Sequence, residues 1–127
     1  MKMLVCKTFT LDAAHYLPHY EGKCRNLHGH TWTLEVEVSS TRPVGLITVG
    51  PKQGMVVDFE DLKDLVNSRV VNRLDHTLLN DLVKNPTCEN LLTWMWDNLA
   101  DWVGGLSCEL SRLRLYETPG SFAELKL

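Results

Sequence analysis

The run His28-Gly29-His30-Thr31-Trp32-Thr33-Leu34-Glu35-Val36-Glu37-Val38 decides how this chain folds. Strand side chains alternate between faces, so His28, His30, Trp32, Leu34, Val36 and Val38 share one face. That pattern predicts a strand over residues 29–39. Residues 3–15 repeat the period, with Val5, Phe9, Leu11, Ala13 and His15 on one face. Two imidazoles therefore open the apolar face of one strand and a third closes that of the other. Paired antiparallel, the strands bring His15, His28 and His30 together. A buried imidazole needs hydrogen-bond partners or a metal. Three neutral imidazoles suit a catalytic zinc ion or a similar metal, because three protein ligands leave a fourth position for water or substrate.

Cys24 lies in the loop between these strands, separated from His28 by Arg25, Asn26 and Leu27. As a fourth ligand it would close a structural site, although the paired Cys-x-x-Cys knuckles typical of such sites are missing. Off the metal, it is flanked by Lys23 and Arg25, whose charge favours the thiolate, the form that abstracts protons or attacks carbon. An unremarkable loop thiol would look the same. His19, in the loop Tyr16-Leu17-Pro18-His19-Tyr20, is not expected to be a ligand.

The chain has 127 residues and a formal charge of −3. That length predicts one domain over residues 1–127 with a core of its own. The negative charge, with no Lys/Arg run, argues against nucleic acid as a partner. No apolar stretch approaches a membrane span, and Met1-Lys2-Met3-Leu4 leads into a strand pattern rather than a signal peptide. Cys6, Cys24, Cys88 and Cys108 are widely spaced and suggest no disulfide framework, so a cytoplasmic location is expected. Cys6, Cys88 and Cys108 read as small core or near-core residues.

Downstream, the segment Ser40–Gly54 reads as turns around the short apolar piece Leu46-Ile47-Thr48-Val49, a possible hairpin extension. Met55-Val56-Val57 is strand-like. Asp58 then caps a helix whose apolar stripe runs through Phe59, Leu62, Val66, Val70 and Arg73, widened by Leu65. Thr87 caps a second helix with Cys88, Leu91, Leu92, Met95, Leu99 and Val103 on its stripe, ended by Gly104-Gly105. Trp94, Trp96 and Trp102 cannot all lie on that stripe, so at least one packs against another element or subunit. Strands are predicted over 108–117 and 121–127, joined by the Thr118-Pro119-Gly120 turn. The expected architecture is α+β, in the order ββααββ: a four-stranded antiparallel sheet with two helices on one face. Its other face and its edges are left open, which predicts oligomerisation.

Three further residues carry candidate chemistry. Asp75-His76 follows the first helix; a carboxylate can orient an imidazole into a proton relay, and surface or capping roles fit the pair equally well. Glu117 shares a face with Leu113 and Leu115, so a carboxylate sits among apolar residues and needs a partner. A pterin edge, with two N–H donors, would pair with it bidentately; a strand-end residue turned to solvent is the simpler alternative.

Together these pieces resemble the 6-pyruvoyl-tetrahydropterin synthase family. The resemblance rests on Asp12-Ala13-Ala14-His15, Cys24-x-x-x-His28-Gly29-His30, Gly54-Met55-Val56-Val57-Asp58-Phe59, Leu74-Asp75-His76, Leu79-Asn80, Asn85-Pro86-Thr87-x-Glu89-Asn90 and Glu117-Thr118. It implies the tunnelling fold, in which sheets of several copies close into barrels. A homo-oligomer follows, either a hexamer built from trimers or a tetramer, with the active site at the subunit interface. It implies one zinc per subunit on His15, His28 and His30, with Cys24 as catalytic base and Asp75 and His76 as its relay. Glu117 becomes the pterin anchor, with Thr87 and Glu89 nearby, and Lys23 and Arg25 are candidates to receive triphosphate. The implied substrate is 7,8-dihydroneopterin triphosphate. Three residues between the cysteine and His-Gly-His resemble the 6-carboxy-5,6,7,8-tetrahydropterin synthases of the 7-deazaguanine (queuosine) pathway, which also cleave the side chain and release acetaldehyde. Five resemble the 6-pyruvoyl enzymes, which release triphosphate only. The Ser40–Gly54 segment is longer than a minimal member needs.

Overall fold

The computed structural model describes residues 2–127; Met1, the first residue of the expected domain, lies outside them. Two long strands come first, β1 (Leu4–His15) and β2 (His28–Ser40). Two helices follow, and the chain ends in β3 (Cys108–Thr118) and β4 (Ser121–Lys126). The sheet order is β1-β2-β3-β4 with every neighbour antiparallel. The ββααββ order and the four-stranded antiparallel sheet expected from the alternation are what the structure contains. Each strand boundary lies within one residue of its expected place.

The β1–β2 register pairs Val5 with Val38, Phe9 with Leu34, Leu11 with Trp32, Ala13 with His30 and His15 with His28. Inward positions on one strand thus face inward positions on the other, so the apolar face is continuous. Trp32, Leu34, Val36, Leu113 and Leu115 from the sheet are fully buried, as are Leu62, Val66, Val70, Leu91, Met95 and Leu99 from the helices. Packed as one cluster, they form the core between the layers.

The first helix, α1, begins at Phe59, where the Asp58 carboxylate accepts from the Glu60 amide at 2.9 Å. It is α-helical over Phe59–Val66, widens to a π turn over Asn67–Val71, and finishes with a last α turn at Asn72–Leu74. The π turn adds a residue to the circuit, which lets neighbouring Val70 and Val71 both point into the core. Two residues expected on the buried stripe lie outside it. Phe59, on the helix's first turn, is exposed beside the Lys7 ammonium. Arg73 is exposed and lays its guanidinium on the Trp94 ring. The second helix, α2 (Cys88–Gly104), is capped by the Thr87 hydroxyl, which accepts from the Asn90 amide at 3.1 Å. Trp102 is off the stripe and half exposed, with the Arg69 guanidinium 3.4 Å from its ring centre.

The Ser40–Gly54 segment holds turn bonds from Gly45 to Arg42 and from Gln53 to Gly50, and it folds back on itself through Ile47. Ile47 donates its amide to the Met55 carbonyl at 2.9 Å and accepts from the Gly54 amide at 2.8 Å. Met55–Val57 is not a strand, because the Val56 carbonyl accepts from the Arg42 guanidinium at 3.0 Å rather than from a ladder. Cys6 also departs from expectation: it is exposed. The alternation that turns Val5 inward turns Cys6 to the other face. That face is polar, with Arg112 held by Glu35, Glu37 and Glu124 at 3.1–3.4 Å.

The outward edge of β1 is only half open. Toward its C-terminal end, residues 75–80 run alongside it. Asp12 donates its amide to Asp75 Oδ1 at 2.9 Å, His76 donates to the Asp12 carbonyl at 2.7 Å, and Ala14 donates to the Thr77 carbonyl at 3.1 Å. Asn80 then clamps both backbone groups of Tyr16. Among the described residues, no helix is long and apolar enough to cross a membrane.

Candidate active site

The three histidines converge because of the β1–β2 register. His15 stands opposite His28, and His30 is two residues along on the same face. Their ring centroids are 4.5–5.2 Å apart, and one ligand nitrogen from each lies within 4.8 Å of the others. Cys24 and Glu117 do not belong to this cluster.

Backbone carbonyls orient two of the rings. The His15 Nδ1–H donates to the Pro86 carbonyl at 2.8 Å, and the His28 Nδ1–H donates to the Asn26 carbonyl at 2.7 Å. Each bond fixes the tautomer and leaves Nε2 as a bare lone pair. Both Nε2 atoms are buried without a hydrogen-bond partner. A buried lone pair left unsatisfied is costly, and here two of them face one point. Burial holds the His15 and His30 pKa below the ordinary 6.5, so both rings are neutral at pH 7. Trp32, 1 % exposed, packs edge-on against His15 and His30 and donates its indole N–H to the Ala13 carbonyl at 3.2 Å. Orphaned lone pairs, fixed tautomers and neutral rings make a donor set that fits a borderline divalent cation such as zinc.

Glu117 lies beside the triad, its Oε1 3.4 Å from His15 Nε2 and 3.6 Å from His30 Nε2. Since the rings are neutral, these are not ion pairs. The carboxylate stands next to a bare imidazole lone pair, an arrangement that a shared cation or a donating ligand relieves. Backbone irregularity aims the side chain. The β2–β3 ladder ends at Tyr116, and the β3–β4 register shifts between Tyr116 and Thr118, so Glu117 occupies a bulge. A cavity of about 520 Å³ opens here, lined by His30, Thr31, Thr33, Tyr116, Glu117 and Thr118 among others. A second, of about 530 Å³, lies on the other side of His30 and is lined by Asp12, Ala14, Gly29 and His76 among others.

Of the relay candidates, His76 lines the second cavity and Asp75 does not. His76 sits at φ 57°, a left-handed backbone that costs a non-glycine residue energy, and its ring is 79 % exposed. Its Nε2 is 3.8 Å from Asp75 Oδ2. Cys24 is half-buried in the turn Lys23–Arg25, whose shape is held by the Cys24 carbonyl accepting from Leu17 at 2.8 Å. No hydrogen bond among the described residues joins its thiol to Asp75 or His76. Lys23 and Arg25 are exposed, with no carboxylate in ion-pair range among the described residues. The Thr87 hydroxyl is engaged as a helix cap, Glu89 is exposed in the first turn of α2, and neither lines the cavity beside Glu117. Within one chain, then, the triad and Glu117 are together, Asp75 and His76 are together, and Cys24 is separate from both pairs. Pro86 and Asn26, whose carbonyls fix the imidazoles, escaped the sequence reading because a carbonyl's role leaves no mark on residue type. Trp32 was visible as a member of the His28–Val38 face.

The family model for 6-pyruvoyl tetrahydropterin synthase matches residues 4–127. A 6-carboxy-5,6,7,8-tetrahydropterin synthase from Synechocystis sp. is 44% identical over 100 residues, covering 77% of this chain and 75% of that protein. A dihydroneopterin monophosphate aldolase from Pyrococcus furiosus is 38% identical over 117 residues, covering 92% and 91%. Among solved structures, the Caenorhabditis elegans 6-pyruvoyl tetrahydropterin synthase superposes with a TM-score of 0.77 at 27% identity, covering 100% of this chain and 96% of that one. With the family model matching residues 4–127 and the fold in agreement, this chain belongs to the 6-pyruvoyl tetrahydropterin synthase family.

Proposed function

We propose that this chain is a zinc-dependent lyase that converts 7,8-dihydroneopterin triphosphate to 6-carboxy-5,6,7,8-tetrahydropterin, acetaldehyde and triphosphate, in the 7-deazaguanine (queuosine) pathway. The observation that carries the reading is the pair of buried, partnerless Nε2 atoms on His15 and His28, turned with His30 toward one point. A zinc ion held there supplies Lewis acidity toward the substrate's side-chain hydroxyls. Glu117 accepts two hydrogen bonds from the pterin edge and sets the ring's depth. Cys24 removes a side-chain proton. Asp75 orients the His76 imidazole, which moves protons in the later steps. Lys23 and Arg25 receive the triphosphate, and Thr87 and Glu89 complete the ring pocket.

The separation of Cys24 from the Asp75–His76 pair within one chain supports a pocket assembled between copies. So does the open half of the β1 edge. In this reading residues 1–127 form one domain, and a trimer-based hexamer or a tetramer brings one copy's relay to another's thiol. The choice of the carboxy product is supported by the three-residue gap before His28 and by the relative at 44% identity.

Incubating the zinc-loaded protein with 7,8-dihydroneopterin triphosphate tests the assignment. Triphosphate, acetaldehyde and a 6-carboxy tetrahydropterin, identified by mass, are expected. A 6-pyruvoyl product without acetaldehyde moves the chain to the 6-pyruvoyl reaction. No turnover with zinc and pterin both bound marks a binding protein.

A further inference from the structure

One turn, Asn85–Cys88, touches both halves of the candidate site. On one side the Pro86 carbonyl accepts from the His15 imidazole at 2.8 Å. On the other the Cys88 thiol, on the first residue of α2, donates to the Leu115 carbonyl at 3.2 Å. Leu115 lies two residues before Glu117, and between them the strand leaves its ladder. The β2–β3 pairing stops at Tyr116, and the β3–β4 register shifts across Glu117. A bulged residue with no ladder partner on one side needs some other contact to fix its direction. The helix end supplies one just before the bulge, at the carbonyl of Leu115, among the last paired residues, and the Cys88 thiol also lies near the Glu117 backbone amide. Its position is itself secured, since Thr87 caps the Asn90 amide and the Asn90 side chain donates back to the Asn85 carbonyl at 2.9 Å.

The thiol is suited to this as a donor. Burial, and then the carboxylates of Glu117 and Glu89, outweigh the nearby backbone amides of Ala123 and Glu117. The proton therefore stays on sulfur at neutral pH.

We propose that Cys88 is a positioning residue, which holds the β3 bulge so that the Glu117 carboxylate points into the ring cavity. This rests on Glu117 receiving the pterin edge. Cys88 touches no substrate in this account. It acts through Glu117, and a side chain that merely filled space could be replaced by another of like size without consequence for binding.

The test is a double-mutant cycle on the zinc-loaded full chain, with unsubstituted pterin as the titrated ligand. Cys88→Val keeps apolar bulk and deletes the donor; Cys88→Ser keeps a donor. Losing one neutral hydrogen bond is expected to weaken pterin binding roughly 3- to 10-fold in Cys88→Val, and Cys88→Ser should stay within about 2-fold of the parent. Zinc content should be unchanged in both. In a Glu117→Gln background, Cys88→Val should cost nothing further, because the group it positions is gone. Equal losses in both backgrounds overturn the proposal, as does unchanged binding in Cys88→Val while Glu117→Gln alone weakens it. Unchanged binding in Glu117→Gln overturns the anchor reading itself. Should Cys88→Val fail to fold, Cys88→Ala removes the donor without added bulk, and the same cycle decides.

Discussion

Asp75 holds two positions at once, and substitutions can separate them. Its Oδ1 accepts from the Asp12 amide at 2.9 Å, standing in for a strand on the outward edge of β1. Its Oδ2 faces His76 Nε2 at 3.8 Å. Asp75→Asn keeps an acceptor for the amide and removes the charge, whereas Asp75→Ala removes both. A hydrogen bond to a charged group contributes about 1.5–3 kcal/mol when well shielded. The Asp75 side chain is 36 % exposed, so water recovers part of that loss. About 1 kcal/mol is expected for Asp75→Ala, and less than about half of that for Asp75→Asn, since a neutral acceptor remains. For a domain of this size, about 1 kcal/mol lowers the melting temperature by roughly 3–5 °C. Turnover should behave differently. Both variants lose the carboxylate that orients His76, so both should fall by a similar factor, on the order of 10² or more. Thermal unfolding followed by circular dichroism, beside steady-state assay of zinc-loaded protein, measures the two effects. Equal melting of the two variants would refute the edge role, and near-native turnover in Asp75→Asn would refute the relay.

Replacing His28 or His30 by Ala should abolish stoichiometric zinc, measured by elemental mass spectrometry, while Cys24→Ala should keep zinc and lose turnover. Zinc loss from Cys24→Ala would point to a closed structural site. Folding of the metal-free protein should weaken as pH falls below about 6.5. Burial lowers the folded pKa of His15 and His30, so the unfolded chain binds protons first; stability is present above the unfolded value and lost below it, until the folded rings also titrate. A flat urea midpoint between pH 7 and 5 would contradict this. Cys6→Ser should change stability by less than about 0.5 kcal/mol, since the thiol is exposed. Cys108→Ser, at a buried position, should cost about 1–3 kcal/mol, and equal costs at the two sites would be the contrary result.

The candidate site was legible wherever strand alternation governs it. His15, His28 and His30 share a face because period two requires it, and their meeting needed only antiparallel pairing. Glu117 was found by the same rule, as a carboxylate on an apolar face. The rule was also sufficient for Cys6: facing away from Val5, it belongs outside, and reading it as a core residue set its residue type above its position. Helical stripes were less reliable at their ends. Phe59 fits the spacing but opens the helix, and Arg73 fits it only until the π turn shifts the stripe by one residue, so that Leu74 and not Arg73 faces the core. The π turn at Asn67–Val71 has no signature in residue type, because it answers the packing of Val70 and Val71 rather than a local preference.

By itself the sequence determined the order of elements, the face each strand buries, the helix caps at Asp58 and Thr87, and the identity of the three clustered imidazoles. These follow from short-range periodicity and capping, which depend on neighbours within a few residues. Tertiary structure alone decided which carbonyls fix the imidazole tautomers, that Asp75 props the edge of β1, and that a bulge turns Glu117 toward the triad. His15 with Pro86 and Asp12 with Asp75 join residues far apart in the chain, whereas His28 finds its carbonyl at Asn26, two residues away. A backbone carbonyl is the same atom in every residue, so its partner is chosen by where the fold puts it and not by what the residue is.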